Sequence, residues 1–507
     1  MSGSPFLSQF PPVVTAVEMR ALEEQAIASG TPEEILMDEA GAGMARIIRR
    51  VFPQPATAII FTGKGHNAGD AFVLAAHLLE AGWRVDIRMV WPAEDLRPLT
   101  ARKLEAVRAK VSFTPVGSEA VPRGRLLLID GILGTGTSGE LRGPAAGAVK
   151  TLNALREKSH AHTFAIDLPS GLGTPSPVIA DVTFALGWPK DVLFADEAAA
   201  FTGRLIHIPL TKLPSPENAE TRDRLVTPKA LRPWLPERAV FSKHKGQSGR
   251  VGIVAGSLGL TGAARLSSTA ASLMGGGLVT LFCPHNIYPV LAAACPPEVM
   301  VRPVSSCLEV RDFQLDAIGI GPGMGNAPLP YLTELLFHDP RPVIIDADAL
   351  NALASGPWLA DGTAKFAGPR LFTPHPGELA RLVKAWQPEL AGRPRRSQAQ
   401  AFADTFPVTL LAKSARSLVI EKNLPAAWNS TGHPLMARGG MGDVLTGFLT
   451  TFAAQKMPLY QAAALGSWIL GRGAELYHRA TGFTEPGTAS EVMAFAAGHA
   501  MAELRHG

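Results

Sequence analysis

The run Gly439-Gly440-Met441-Gly442-Asp443-Val444-Leu445-Thr446-Gly447 combines residue types that can do chemistry on phosphate. Three glycines lead into an acid at the start of an apparent helix. Bare backbone N–H groups at a helix N-terminus form an anion site, and the helix dipole favours negative charge there. A carboxylate beside that site is suited to taking a proton from a hydroxyl while the backbone steadies a transferring phosphoryl group. A glycine-rich turn with Asp443 as its cap would use the same residues. Other loops in the same half add polar groups at strand ends. Gly256-Ser257-Leu258-Gly259-Leu260-Thr261-Gly262-Ala263-Ala264 and Gly321-Pro322-Gly323-Met324-Gly325 each follow a strand. Thr373-Pro374-His375-Pro376-Gly377-Glu378 packs an imidazole and a carboxyl into a loop stiffened by two prolines, and Lys413 follows another strand, where it could face phosphate.

The N-terminal half carries a different set. Gly63-Lys64-Gly65-His66-Asn67-Ala68-Gly69-Asp70 is not the dinucleotide fingerprint, because the third glycine is displaced by one and Ala68 takes its place. Asn67, Asp130 and Ser170 would lie at strand ends along one sheet edge. Amide, carboxylate and hydroxyl oxygens together suit a hard cation, while each taken singly is an ordinary turn cap.

These residues need strands and helices to hold them. Glu18 to Val51 has helical spacing with a break at Gly30-Thr31-Pro32. Strands are expected over 57–61, 84–90, 126–130 and 163–167, with a helix from Ala71 to Ala81. After Gly249, strands are expected over 250–255, 278–282, 317–321, 343–346, 371–373 and 408–412, and a helix over 463–476. Alternation of this kind predicts mostly parallel sheets with helices on both faces, and ligands at the carboxyl ends of the strands. Pro209 to about Pro236, rich in Pro, Arg and Glu, reads as a connector.

A chain of 507 residues, 46% apolar and 18% charged, is globular and too long for one ordinary domain. Its net charge of +4 and its lack of basic clusters interleaved with aromatics exclude a strong case for nucleic acid. No apolar run approaches the roughly 20 residues of a membrane span, and no signal peptide is evident, so a cytoplasmic enzyme is expected. Cys283, Cys295 and Cys307 fit a reducing compartment and offer no structural zinc site.

His244-Lys245-Gly246, Gly249-Arg250, the Gly256–Ala264 turn, Gly321-Pro322-Gly323, Asp346-Ala347-Asp348-Ala349-Leu350-Asn351, Thr373–Glu378 and Gly439–Gly447 occur in order. Together they resemble the carbohydrate-kinase-like dehydratase that repairs hydrated NADH and NADPH, over residues 225–503. That resemblance implies a ribokinase-like α/β fold and dehydration driven by ADP or ATP, with Mg²⁺. It implies that Asp443 is catalytic and that Ala263, Gly323, His375 and Asp443 contact the hydrated dinucleotide. Lys413, Ser414, Ala415, Arg416, Ser417 and Gly442 would contact the adenine nucleotide. Departures from the family pattern are the serine- and arginine-bearing loop Lys413–Ser417, usually glycine-rich, and Arg438, where a small residue is usual.

Gly63–Asp70, Asp130-Gly131-Ile132-Leu133-Gly134-Thr135-Gly136, Ala165-Ile166-Asp167-Leu168-Pro169-Ser170-Gly171 and Ala180-Asp181-Val182-Thr183 resemble the NAD(P)HX epimerase domain, over residues 13–212. The resemblance implies a Rossmann-like three-layer fold and K⁺ held by Asn67, Asp130 and Ser170. Substrate would meet His66, Asn67, Ala68, Gly69, Asp70, Gly134, Thr135, Gly136, Thr137, Ser138, Gly139 and Glu140. Asp167 is the expected acid/base, with Asp130 as the other choice. His66 stands where the family has a second asparagine, and Ala68 and Ala71 replace glycines. A bifunctional repair enzyme, expected to be a homo-oligomer, is the first expectation. The alternative is a ribokinase-like small-molecule kinase with a non-catalytic N-terminal ligand-binding module.

Overall fold

The computed structural model describes residues 9–135, 139–237, 241, 244–326, 329–357, 365–484 and 488–506. It divides into two compact units: Pro11–Arg222, and Asp223 onward together with Phe10. Each is a doubly wound α/β unit of mostly parallel strands, as the alternating pattern predicts.

In the N-terminal unit the strands are β1 (Thr57–Thr62), β2 (Arg84–Met89), β3 (Ser112–Phe113), β4 (Leu126–Gly131), β5 (His162–Ile166), β6 (Val182–Leu186) and β7 (Arg204–Ile208). They form one parallel sheet in the order β3-β2-β1-β4-β5-β6-β7. Alternate residues point to opposite faces of a strand. Ala58 and Ile60 of β1 therefore pack with Phe72 and Leu74 on one face, and Ile59 and Phe61 pack with Val149 and Leu152 on the other. Burial on both faces explains why these strands read as continuous apolar runs. The order reverses between β1 and β4, the place where such sheets bind ligands.

The second unit holds β8 (Arg224–Leu225), β9 (Arg250–Val254), β10 (Leu278–Pro284), β11 (Val299–Val304), β12 (Ala317–Ile320), β13 (Val343–Ile345), β14 (Arg370–Phe372), β15 (Thr409–Ala412), β16 (Leu418–Ile420) and β17 (Ala427–Trp428). Their order is β11-β10-β9-β12-β13-β14-β15-β16-β17-β8. The pairs β15–β16 and β16–β17 are antiparallel, a hairpin extension not expected from the sequence. Helices Thr261–Leu273 and Met441–Ala454 pack on the sheet, their Val444, Phe448 and Ala264 closing over Val251 and Ile253.

Two expectations need correction. The first is the helix after β1, which begins at His66 rather than Ala71, so His66 to Asp70 form its first turn and not a free loop. The second is the connector, whose later part is structural: β8 pairs with β17, and Val226, Leu231 and Trp234 are buried in the second core, where Trp234 meets Phe10 edge-on at 5.0 Å.

Candidate functional sites

In the second unit, Asp346 follows β13 and is 1% exposed. Its Oδ1 accepts from Lys413 Nζ at 2.6 Å and its Oδ2 from Thr446 Oγ1 at 2.9 Å. Burial pushes the Asp346 carboxyl up, but Lys413 and the hydroxyl donors outweigh it and hold the group below its ordinary range. Gly442 lies directly against this pair: a Cβ there would stand 3.3 Å from both Asp346 Oδ2 and Lys413 Nζ. Gly440 caps the helix in a left-handed conformation (φ 97°), which a glycine adopts without steric cost. Asp443 sits in the first turn, and burial, then the Asp346 charge, push its carboxyl up to about 6. A carboxyl raised in this way, in the first turn of a helix opened by glycines, is chemically suited to act as a base near neutral pH.

The neighbouring loops close on the same place. Gly321 (φ 125°) allows a close approach, since a Cβ there would fall 1.8 Å from the Asp346 carbonyl oxygen. Asp348 Oδ2 accepts from Gly325 N at 2.8 Å, fixing the Gly321–Gly325 turn. Gly323 faces Ala263, whose Cβ would be 2.9 Å from a Cβ at Gly323. His375 is an N-cap: its Nδ1 accepts from Gly377 N at 3.0 Å, and Glu378 Oε2 accepts from His375 N at 2.8 Å. The imidazole Nε2 stays half exposed, 3.3 Å from Glu378 Oε1. Lys413 N donates to the Pro374 carbonyl at 2.8 Å, which joins this loop to the lysine. Ser414 to Ser417 form a turn closed on itself, Ser414 Oγ donating to Arg416 O at 2.8 Å and Ser417 Oγ to Ser414 O at 3.2 Å. The Arg416 side chain is buried, which lowers its guanidinium to about 10 against the pull of Glu475. Asp443, Gly442, Lys413, Gly323, Ala263 and His375 therefore share one end of the sheet. The sequence did not single out Asp346, Asp348 or Thr446, although all three lie in motifs it displays.

In the first unit, Asp130 is the penultimate residue of β4 and is fully buried. Ser170 Oγ donates to its Oδ1 at 2.6 Å, Ser170 N to its Oδ2 at 2.7 Å, and Ile132 N to its Oδ1 at 3.2 Å. Asn67 Nδ2 donates to the Leu133 carbonyl at 3.1 Å, and Leu133 N donates to Ser170 Oγ at 2.9 Å. Asn67, Asp130 and Ser170 are thus brought together with a backbone carbonyl. Burial pushes the Asp130 carboxyl up to about 6 despite three hydrogen bonds. An all-oxygen set around a buried carboxylate fits a hard cation.

Asp167 holds a left-handed backbone (φ 66°), with Leu168 N donating to Ile166 O at 2.8 Å across it. Strain of this kind concentrates at functional sites. Its carboxylate accepts from Lys190, a buried lysine that the sequence did not single out and that also donates to Leu186 O at 2.6 Å. Asp70 and Glu23 face the same pair. Burial first, then Asp167 and Glu23, push the Asp70 carboxyl well above its ordinary range. His66 is tied to Glu33 at 3.0 Å and to Arg97 at 2.9 Å. Ala68 and Gly69 are buried within the helix. Gly134 and Thr135 follow β4, the Thr135 carbonyl accepting from Arg20 at 3.4 Å. Gly139 is exposed, as is Glu140, which pairs with Arg142 at 3.3 Å. Gly136, Thr137 and Ser138 lie outside the described residues.

Among the described residues, no helix is long and apolar enough to cross a membrane.

A family model described as NAD(P)H-hydrate dehydratase matches residues 251–493, and one described as YjeF-related protein N-terminus matches residues 33–192. The bifunctional NAD(P)H-hydrate repair enzyme Nnr of Moorella thermoacetica is 35% identical over 496 residues, covering 90% of this chain and 91% of that protein. The enzyme of the same name from Coxiella burnetii is 30% identical over 472 residues, covering 90% and 93%. Among solved structures, the ADP/ATP-dependent NAD(P)H-hydrate dehydratase of Bacillus subtilis, co-crystallised with ATP/Mg²⁺, aligns with a TM-score of 0.48 at 26% identity, over 55% of this chain and 98% of that one. With both family matches in chain order and relatives similar along nine-tenths of its length, the chain belongs to the bifunctional NAD(P)H-hydrate repair enzymes.

Proposed function

We propose that the second unit dehydrates hydrated NADH or NADPH with Asp443 as its base and ADP, or ATP in its place, as the phosphoryl donor. The observation that carries this is the position of Asp443, in the first turn of a helix whose Gly442 abuts Lys413 and Asp346. Hydroxide leaves poorly near neutral pH, so the hydroxyl on the reduced ring is phosphorylated first. Asp443 takes the hydroxyl proton, the oxygen attacks the terminal phosphorus of the nucleotide, and the bond to the leaving nucleotide breaks. With ADP that product is AMP. The carbon–oxygen bond then breaks, phosphate departs with the electron pair, and the ring-nitrogen lone pair fills the gap. Loss of a proton from the adjacent ring carbon restores the dihydropyridine. The Gly439–Gly442 backbone steadies the phosphoryl group, and Lys413 offsets its charge. Ser414 to Ser417 line the nucleotide side, and Ala263, Gly323 and His375 the dinucleotide side. Mg²⁺ accompanies the nucleotide phosphates.

The first unit interconverts the two epimers of the hydrated ring. That reaction breaks a bond at the hydrated carbon and remakes it on the other face, returning every proton it borrows. Asp167 and Lys190 form the acid/base pair. Asn67, Asp130 and Ser170 would hold K⁺, which supplies a fixed positive charge beside the substrate. His66 to Asp70 and Gly134 to Glu140 form the substrate side.

The test uses mixed epimers of hydrated NADH with the full chain and ADP or ATP, following recovery of NADH absorbance. Complete rapid recovery is expected, together with none for Asp443→Asn. Near-normal turnover by a folded Asp443→Asn protein would remove Asp443 as base. A fast phase that stalls at partial conversion would remove the epimerase.

A further inference from the structure

Asp346 is a carboxylate buried beneath the catalytic helix and shut off from open solvent. A buried charge persists only when paired. Its two oxygens are divided between two elements: Lys413 after β15 at 2.6 Å, and Thr446 at 2.9 Å, three residues beyond Asp443 on the same helix. The next residue, Ala347, holds a left-handed backbone (φ 50°), a conformation L residues rarely adopt. This turn lets Asp348 face the opposite loop and accept from Gly325. The motif thus sends one acid to the lysine and the other to the glycine turn.

A lysine beside a carboxylate base presents a chemical problem. If Lys413 paired with Asp443, the base would be held ionised and weak. Asp346 takes the lysine instead, and Gly442, which has no side chain, lets the pair reach the anion site. We propose that Asp346 is a positioning residue that fixes Lys413 toward the nucleotide phosphates and keeps Asp443 unpaired and basic. This rests on Asp443 being the base. The charged groups acting on Asp443 are Asp346 and Asp348 after β13 and Lys413 after β15, and Glu378 acts on the Asp346–Lys413 pair from the Pro376–Trp386 helix. Asp346 and Asp348 raise the Asp443 carboxyl, and Lys413 lowers it.

Two variants of the full chain separate charge from position. Asp346→Asn keeps the shape and removes the charge. Its acid limb of kcat against pH is expected to move down by about one unit, and its nucleotide KM to rise about tenfold. Thr446→Val keeps the charge and removes one hydroxyl donor to the carboxylate. It is expected to raise nucleotide KM about threefold and leave the acid limb in place. Wild-type KM and an unmoved acid limb in Asp346→Asn would overturn the proposal. Equal shifts of the limb in both variants would also overturn it, because general loosening would then explain them. Should Asp346→Asn lose its melting transition, an unchanged KM in Thr446→Val overturns the proposal, and the threefold rise supports it. Asp443→Asn run alongside keeps the two assignments distinct: activity there removes the base, whereas inactivity there with an unaltered Asp346→Asn removes only the positioning role.

Discussion

Glu23 on the helix Ala16–Ala28 should make the first unit less stable as pH rises, and Glu23→Gln should remove that penalty. Burial pushes the Glu23 carboxyl up to about 7 from an ordinary 4.5; Lys190 pulls it down, and Asp167 and Glu33 push it further up. Between these values the folded state binds more protons than the unfolded one, so stability falls as pH rises. It is fully present below about 4.5 and lost by about 7. The span of about 2.5 units corresponds to about 3 kcal/mol at 1.36 kcal/mol per unit. For a unit of this size that is roughly 6–12 °C in melting temperature.

Glu23→Gln does not titrate, so it should melt with wild type near pH 4.5 and about 6–12 °C above it at pH 8. The neighbouring Asp70 reinforces the gain, because Glu23 is among the charges pushing its carboxyl up. Calorimetry of both proteins at the two pH values reads the difference directly. A shift of the same size at both pH values would refute the reasoning, since a packing change has no pH window. Wild type carries this cost at neutral pH beside Asp167 and Lys190, and function commonly accounts for destabilised acids at such a place.

Three further outcomes are expected. Gly321→Ala would place a Cβ 1.8 Å from the Asp346 carbonyl at a left-handed position, so melting should fall by more than about 3 kcal/mol equivalent and dehydration should vanish; a melting temperature within error of wild type would contradict this. K⁺ in place of choline should raise the melting temperature of wild type, by about 2.7 kcal/mol equivalent at 100 times its dissociation constant, and should not do so in Asp130→Asn; equal shifts in both proteins would remove the cation site. Ala347→Gly should relieve a left-handed alanine (φ 50°) and raise stability by about 1 kcal/mol, seen as a rise of a few degrees; a fall would mean that the alanine methyl packs usefully.

Parallel strands buried on both faces are short runs of Val, Ile, Leu and Phe, and β1, β4, β9 and β10 were legible for that reason. The helix Met441–Ala454 was legible because Gly440 and Gly442 mark its start. The helix at His66 was misplaced because its cap, Gly65, makes no side-chain cap bond, and polar residues fill its first turn. β15 was legible as the strand over 408–412, but β16 and β17 were not, since strands of three and two residues carry too little pattern and the Ser414–Ser417 turn before them is closed by hydroxyls rather than by glycine. Trp234 meets Phe10 across more than two hundred residues, a contact no local pattern encodes. Lys190 and Asp346 were missed for a related reason. A lysine after a proline and an acid after a strand have many ordinary explanations, and only the fold shows each to be buried and facing its partner.

Both units pair a lysine with an aspartate at the carboxyl end of a strand, Lys190 fully buried and Lys413 partly exposed, yet the proposed chemistry uses the two pairs differently. In the first unit the strained acid, Asp167, is itself the lysine's partner. The pair sets a donor beside an acceptor, the arrangement the proposed epimerisation requires, since that reaction restores every proton it borrows. In the second unit the lysine's partner, Asp346, is sealed beneath the helix, and the proposed base, Asp443, stands apart from it across Gly442. That separation suits a reaction in which a proton and a phosphate both leave. The base must be free to accept the proton, and the lysine must be free to meet the anion. Merging the two roles in one ion pair would weaken both, and the proposed mechanism avoids this by giving Lys413 and the proton transfer to different acids.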